Sequence, residues 1–207
     1  IRVHSGDMFA SPAPTGETLN LADVCLMPPC APGKMICLWN NYRALAAKLG
    51  QSIPDEPLWF IKANSALLGH GQAIRTPAGY TGKVVYEAEL GIVIGQTCRA
   101  VSELEAAQRI FGYTCVNDVT AIDILKRDVS FDQWSRSKSF DTFGPLGPAI
   151  ATGLDPLGLQ IKLYLNDQER QNYPVSDMVF PPAKLVSLLS HDITLEPGDV
   201  IACGTSV

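Results

Sequence analysis

The most sustained apolar pattern in the chain runs through VVYEAELGIVIG, residues 84–95. Its Val and Ile content predicts a strand. Strand side chains alternate, so Val84, Tyr86, Ala88, Leu90, Ile92 and Ile94 share one face, and Val85, Glu87, Glu89 and Val93 share the other. Shorter apolar runs predict further strands at KMICLW (34–39), LWFIK (58–62), YTCVND (113–118) and VIACG (200–204). LGLQIKLYLN (157–166) alternates with Leu159, Ile161, Leu163 and Leu165 on one face, and Asn166-Asp167 then supplies a hairpin turn. Four segments read as helices. The first covers 40–50 and is stopped by Gly50. The second opens on the capping box Ser102-x-x-Glu105 and runs to about residue 111, with Leu104, Ala107, Ile110 and Phe111 as its apolar face. The others cover 120–127 and 182–192. Residues 1–33 read as loops around short strands, 64–83 as a long turn-rich segment, and EPGD (196–199) as a tight turn.

Strands therefore outnumber helices, and Gly and Pro, 17 and 15 of 207 residues, are above ordinary usage. The fold class that follows is predominantly β with a few covering helices. A loop-rich segment, 1–33, precedes one main domain, 34–207. At 46% hydrophobic and 18% charged residues the chain is globular rather than disordered. A net charge of −5 argues against nucleic acid or an anionic membrane as partner. No apolar run is long enough to span a bilayer, and the chain, which begins at Ile1, opens on no signal-like segment. The six cysteines form no C-x-x-C pair. With Cys37, Cys98, Cys115 and Cys203 in apolar strand-like stretches, they read as buried free thiols of a reducing, cytoplasmic compartment. His4, His70 and His191 are too scattered for a zinc signature.

Charge changes the picture at one place. Glu87 and Glu89 stand about 7 Å apart at Cα on one strand face. Two like charges on a half-buried face repel and lose hydration unless a cation neutralises them or one keeps its proton. A hard, oxygen-seeking ion such as Mg²⁺ or Mn²⁺ resolves the conflict, and Asp118 at the end of TCVND is a candidate third ligand. An exposed strand face accounts for the two glutamates equally well. A cap for the segment beginning at Thr120 accounts for Asp118.

YEAELGIVIG, GYTCVNDVTA, SKSFDTFGPLGP and GDVIACGT, in that order, resemble the fumarylacetoacetate hydrolase family, as do the upstream LMPPCAPGKMICLWNNY and FIKANSALLGHG. The resemblance covers about residues 20–207. It implies a partly rolled mixed β-sheet, a divalent metal held by Glu87, Glu89 and Asp118, small 2-oxo or 1,3-dicarbonyl acids as substrates, and a homodimer. Lys138 and Thr205 match family positions that line the substrate site. The residues agree with this chemistry. Three carboxylates on a dication leave one negative charge, so an anionic substrate needs a further cation, which Lys138 supplies while steadying an enolate oxygen.

The sequence departs from the family pattern at three points. Hydrolytic and decarboxylating members carry N-Y-x-x-H-x-x-E on the first helix, whereas NNYRALAAK has Leu45 and Lys48 at the His and Glu positions. NDVTAID places Ile122 where Arg is common. His70 of GHG is then a candidate substitute base, against its reading as an ordinary loop histidine. Family members also continue beyond the GT motif, where this sequence stops at GTSV. The leading expectation is an enzyme that forms a metal-bound enolate of a 2-oxo acid and breaks a C–C bond by hydrolysis or decarboxylation. The alternatives are an isomerase or tautomerase of an unsaturated 2-oxo diacid, as in aromatic-acid degradation, and a catalytically silent binding protein.

Overall fold

The computed structural model describes all residues 1–207. At its centre is a five-stranded mixed sheet in the order β4-β3-β13-β7-β8. These strands are β3 (Met35–Trp39), β4 (Leu58–Lys62), β7 (Ala88–Ile94), β8 (Ile110–Asn117) and β13 (Val200–Ala202). β13 is parallel to β3 and antiparallel to β7. Around the sheet lie the hairpins β1 (Arg2–Ser5) with β2 (Ala13–Thr18) and β11 (Gln160–Leu165) with β12 (Gln168–Pro174). Two small pairs complete the β structure: β5 (Leu67–Leu68) with β10 (Gly144–Pro145), and β6 (Val84–Val85) with β9 (Thr120–Ala121). The helices are α1 (Arg43–Leu49), α2 (Glu103–Arg109), α3 (Ile122–Leu125), α4 (Trp134–Lys138) and α5 (Pro182–Asp192).

Strand alternation divides the core into two layers. Ile36, Leu38, Leu90, Ile92, Ile94 and Ile201 meet α5 through Leu185, Val186 and Leu189, and the β11–β12 hairpin through Ile161 and Tyr173. Met35, Cys37, Val93, Val200 and Ala202 face the other way, onto Cys30, Val116 and Leu146. Each fully buried Ile contributes about 1.5–3 kcal/mol of hydrophobic stabilisation. β7, covered on both sides, is buried at every residue, which explains its near-continuous apolar sequence.

The local signals that carry a mechanism reappear in the structure. Gly50 ends α1 in the left-handed conformation and donates to the carbonyls of Ala46 and Ala47. Ser102 and Glu105 form the reciprocal capping box of α2. Asn166 and Asp167 both have positive φ, 51° and 60°, the twist a two-residue hairpin turn requires.

Four expectations are corrected. The 84–95 run is two strands, broken at Tyr86 and Glu87, with β6 leaving the main sheet to pair with β9. α2 stops at Arg109, so Ile110 and Phe111 belong to β8, and Leu104 is 78% exposed rather than part of an apolar helix face. The predicted helix at 120–127 is a strand pair at 120–121 followed by one turn, α3. All six cysteines are free, but Cys115 is exposed, on a strand at the edge of the sheet. No helix is long and apolar enough to cross a membrane.

Candidate metal centre

The break between β6 and β7 creates the site. At Glu87 the ladder gives way to side-chain bonding. The Glu87 N–H donates to Asn117 Oδ1 at 3.0 Å, and the Asp118 N–H donates to the Glu87 carbonyl at 2.9 Å. This brings the end of β8 against the start of β7 and turns Asp118 inward. Glu87, Glu89 and Asp118 then present carboxylate oxygens that all lie within 4.8 Å of one another. Glu89 and Asp118 are buried, and Glu87 keeps 20% of its side chain exposed.

Each carboxylate is partly anchored. The Thr120 hydroxyl donates to Glu87 Oε1 at 3.0 Å, and the Gly204 N–H donates to Glu89 Oε2 at 2.8 Å. Gly204 has φ +86°, a conformation strained for any side chain, which puts its N–H on the glutamate. Lys138, at the end of α4, donates to Glu87 Oε2 at 2.9 Å and to Asp118 Oδ2 at 2.6 Å. Glu89 Oε1 and Asp118 Oδ1 remain buried with no hydrogen-bond partner.

The electrostatics follow from burial. Loss of water pushes the Glu89 carboxyl well above its ordinary range, and the charges of Asp118 and Glu87 add to this. Glu87 is also raised by burial, against the opposing pull of Lys138. Burial pushes Asp118 the same way, but Lys138 and Lys62 outweigh it and hold Asp118 below the usual carboxylate range. The same carboxylates, Asp118 foremost, overcome burial at Lys138 and hold its ammonium well above the ordinary lysine range. Lys62 is a participant that the sequence did not disclose. It is fully buried, and its ammonium lies 2.8 Å from Asp118 Oδ1. Three carboxylates against two ammonium groups leave one uncompensated negative charge. Either Glu89 keeps a proton or a cation completes the site.

A hard dication fits this donor set, which is oxygen only, clustered, and contains one buried oxygen, Glu89 Oε1, with no other partner. Glu87, Thr120 and Lys138 open onto a cavity of about 280 Å³. Its walls are Trp39, Trp134, Ile122 and Leu125, with Lys126 also lining it. The two indoles are in contact, with ring centroids 5.1 Å apart. A larger cavity, about 900 Å³ between residues 68–78 and 139–142, contains none of the three carboxylates.

The other candidate residues divide. Thr205 sits beside Glu89 through Gly204, but its hydroxyl donates to the Ala88 carbonyl at 3.0 Å and accepts from Gln171. His70 is not brought to the cavity over the triad. It is exposed and lines two other clefts, one with Cys115 and Asn117 and one with Cys25. Leu45 packs against the core and Lys48 is exposed. Ile122, at the position where Arg is common in the family pattern, is part of the cavity wall.

A carboxylate triad, two of its members buried, beside a lysine that lines a cavity and carried on a mixed sheet, is an oxygen-donor set of the kind that could hold a divalent ion. The chain belongs to the fumarylacetoacetate hydrolase family. Residues 34–207 match the family described as fumarylacetoacetate (FAA) hydrolase C-terminal, and residues 1–29 match Rv2993c-like, N-terminal. The structure of 5-carboxymethyl-2-hydroxymuconate delta-isomerase from Mycobacterium smegmatis is similar at TM-score 0.88 and 39% identity, covering 99% of this chain and 78% of that one. That of 2-hydroxyhepta-2,4-diene-1,7-dioate isomerase from Mycobacterium marinum is similar at TM-score 0.86 and 36% identity, covering 100% and 78%. The oxaloacetate tautomerase YisK of Bacillus subtilis is 37% identical over 193 residues, 90% of this chain and 63% of its own length.

Proposed function

We propose that this chain is a divalent-metal-dependent isomerase or tautomerase of a small 2-oxo acid, with Glu87, Glu89 and Asp118 holding Mg²⁺ or Mn²⁺. The observation that carries the reading is the cluster of three carboxylates, with Glu89 Oε1 buried and without a partner, next to Lys138, which lines a cavity. When bound, the ion supplies Lewis acidity to the 2-oxo carbonyl and so acidifies the neighbouring C–H bond. Lys138 is held protonated by three carboxylates, so it serves as a donor to the oxygen that gains charge, and not as a base. Thr120 and Gly204 fix Glu87 and Glu89 in place, so the site needs little reorganisation as that charge develops. Thr205 borders the site and is included as a substrate contact, one that requires its hydroxyl to exchange its bond to Ala88.

Moving a proton between carbon and oxygen is favoured over C–C cleavage because cleavage by hydrolysis also requires an activated water. Leu45 and Lys48 cannot activate one, and no imidazole lines the cavity. The isomerase and tautomerase activities named for the relatives support the same choice. A homodimer in the cytoplasm, checked by light scattering and by fractionation, belongs to this proposal. The deciding experiment is NMR in deuterated water with Mg²⁺ present, following solvent deuterium at C3 of a 2-oxo acid and cleavage products in the same tube. Exchange should run ahead of any cleavage. Rapid cleavage without prior exchange would return the reading to a hydrolase or decarboxylase, and neither reaction would leave a silent binding protein.

A further inference from the structure

Lys62 ends β4 with its side chain wholly buried. Its stem passes against Gly144, where an added Cβ would lie 3.3 Å from Lys62 Cδ and 3.2 Å from the Ala66 carbonyl oxygen. Beyond it the ammonium donates to three main-chain carbonyls: Phe143 at 2.9 Å, Val119 at 3.4 Å, and Lys138. An ammonium has three N–H bonds. Asp118 Oδ1 lies 2.8 Å away as well, so four protein oxygens crowd the three N–H bonds and leave none for a ligand. Lys62 also does not line the cavity. It has no free donor for a ligand, yet it touches the residue after Asp118, the carbonyl of Lys138 and the loop that follows α4.

We propose that Lys62 is a positioning residue that fixes Asp118 and Lys138 relative to each other and adjusts the charge of the site in favour of anionic substrates at the expense of metal affinity. The proposal rests on the metal-assisted reading above. With both lysines present, the protein groups carry one net negative charge, and a dication turns this into one net positive charge, matched to a carboxylate ligand. Without Lys62 the protein groups carry two negative charges, and the same dication leaves the site neutral. A low-dielectric site feels that single unit strongly. Removing Lys62 while keeping its volume should therefore move two affinities in opposite directions, whereas a lysine with a merely structural role would weaken both.

The test titrates Mn²⁺ by calorimetry, and then pyruvate into the Mn²⁺-loaded protein by water proton relaxation. For Lys62→Met the Mn²⁺ dissociation constant should fall by about threefold or more, and that of pyruvate should rise by about tenfold. Lys62→Arg, which keeps the charge, should leave both within about threefold. If Lys62→Met does not fold, Gly144→Ala carries the test. It crowds the stem without removing the charge, so pyruvate binding should weaken by a few-fold at unchanged Mn²⁺ affinity. Weakening of both ligands together, in Lys62→Met or in Gly144→Ala, would overturn the proposal while leaving the metal site standing. Wild-type protein that binds no Mn²⁺ would instead overturn the reading on which it rests.

Discussion

The two sides of the candidate site are built differently. The floor comes from the ends of β7 and β8 and from α4, and there Glu87, Glu89, Asp118 and Lys138 are held by one another and by Thr120, Gly204 and Lys62. On α1 the family pattern would place a histidine and a glutamate. Instead Leu45 points into the core and Lys48 is exposed. The floor is costly to build, because it concentrates buried charge that only mutual pairing makes tolerable. The helix carries no such cost and is stabilised by ordinary packing. On the proposed reading, a chain with the costly floor in place and no acid–base pair on this helix suits the acidification of a C–H bond better than the delivery of water to a C–C bond.

The sharpest way to break this comparison is to remove a ligand. Glu89→Gln should abolish the metal response altogether. Wild-type protein should gain about 2.7 kcal/mol at a metal concentration near 100 times Kd, read as a rise in Tm that chelator reverses, and the variant should gain none. Burial already favours the protonated form of Glu89, which Gln resembles, so the metal-free variant should melt close to metal-free wild type. An unchanged Tm response in the variant would remove the triad from the argument.

Lys138→Ala comes next. Loss of one preorganised donor to developing negative charge typically costs about 10²–10³-fold in rate, and the exchange rate should fall by that much. The metal-induced stabilisation should survive, because the three carboxylates remain and lose a competing cation. Unaltered exchange kinetics would make Lys138 a structural partner of Asp118 and nothing more.

Much of this floor was legible along the chain and part of it was not. Alternation puts Glu87 and Glu89 on one face, and the conflict between their charges offers a cation as one resolution and an exposed face as the other. Gly50, the Ser102–Glu105 box and the Asn166-Asp167 turn were legible because their chemistry is local. Lys62 was not. A lysine closing an apolar strand ordinarily reaches solvent, and its burial here depends on carbonyls 57 to 81 positions away. Leu104 is exposed, against the helical spacing, for the opposite reason. Ile110 and Phe111 completed a helical spacing on paper, but they belong to β8, and the short α2 buries Ala106 instead. The break at Glu87 was hidden because its cause, the side chain of Asn117, lies on another strand.

The third prediction rebuilds the missing side. Leu45→His combined with Lys48→Glu should raise the ratio of C–C cleavage to exchange by about tenfold, below the 10²–10⁴-fold that a well-placed acid–base pair supplies. The shortfall is expected because Leu45 packs against the core, and a polar ring there loses apolar contact. Parallel NMR of exchange and products reads the ratio directly. A rise in exchange with no change in cleavage would show that α1 feeds the enolisation step instead.

The smallest effect is expected at His70. It is the residue the sequence offers as a substitute base, and its ring lines clefts that do not include the triad. A general base must come within hydrogen-bond reach of the proton it takes, directly or through one water. His70→Gln should therefore change the exchange rate by less than about twofold across the pH range in which an imidazole titrates. The measurement is the exchange rate at saturating Mg²⁺, followed from acid to neutral pH in both proteins. A loss of about a hundredfold, with the wild-type pH dependence flattened in the variant, would mean that the loop following β5 closes over the cavity during turnover. The division between a complete floor and an exchanged helix would then gain a third component, a mobile base delivered from outside the sheet.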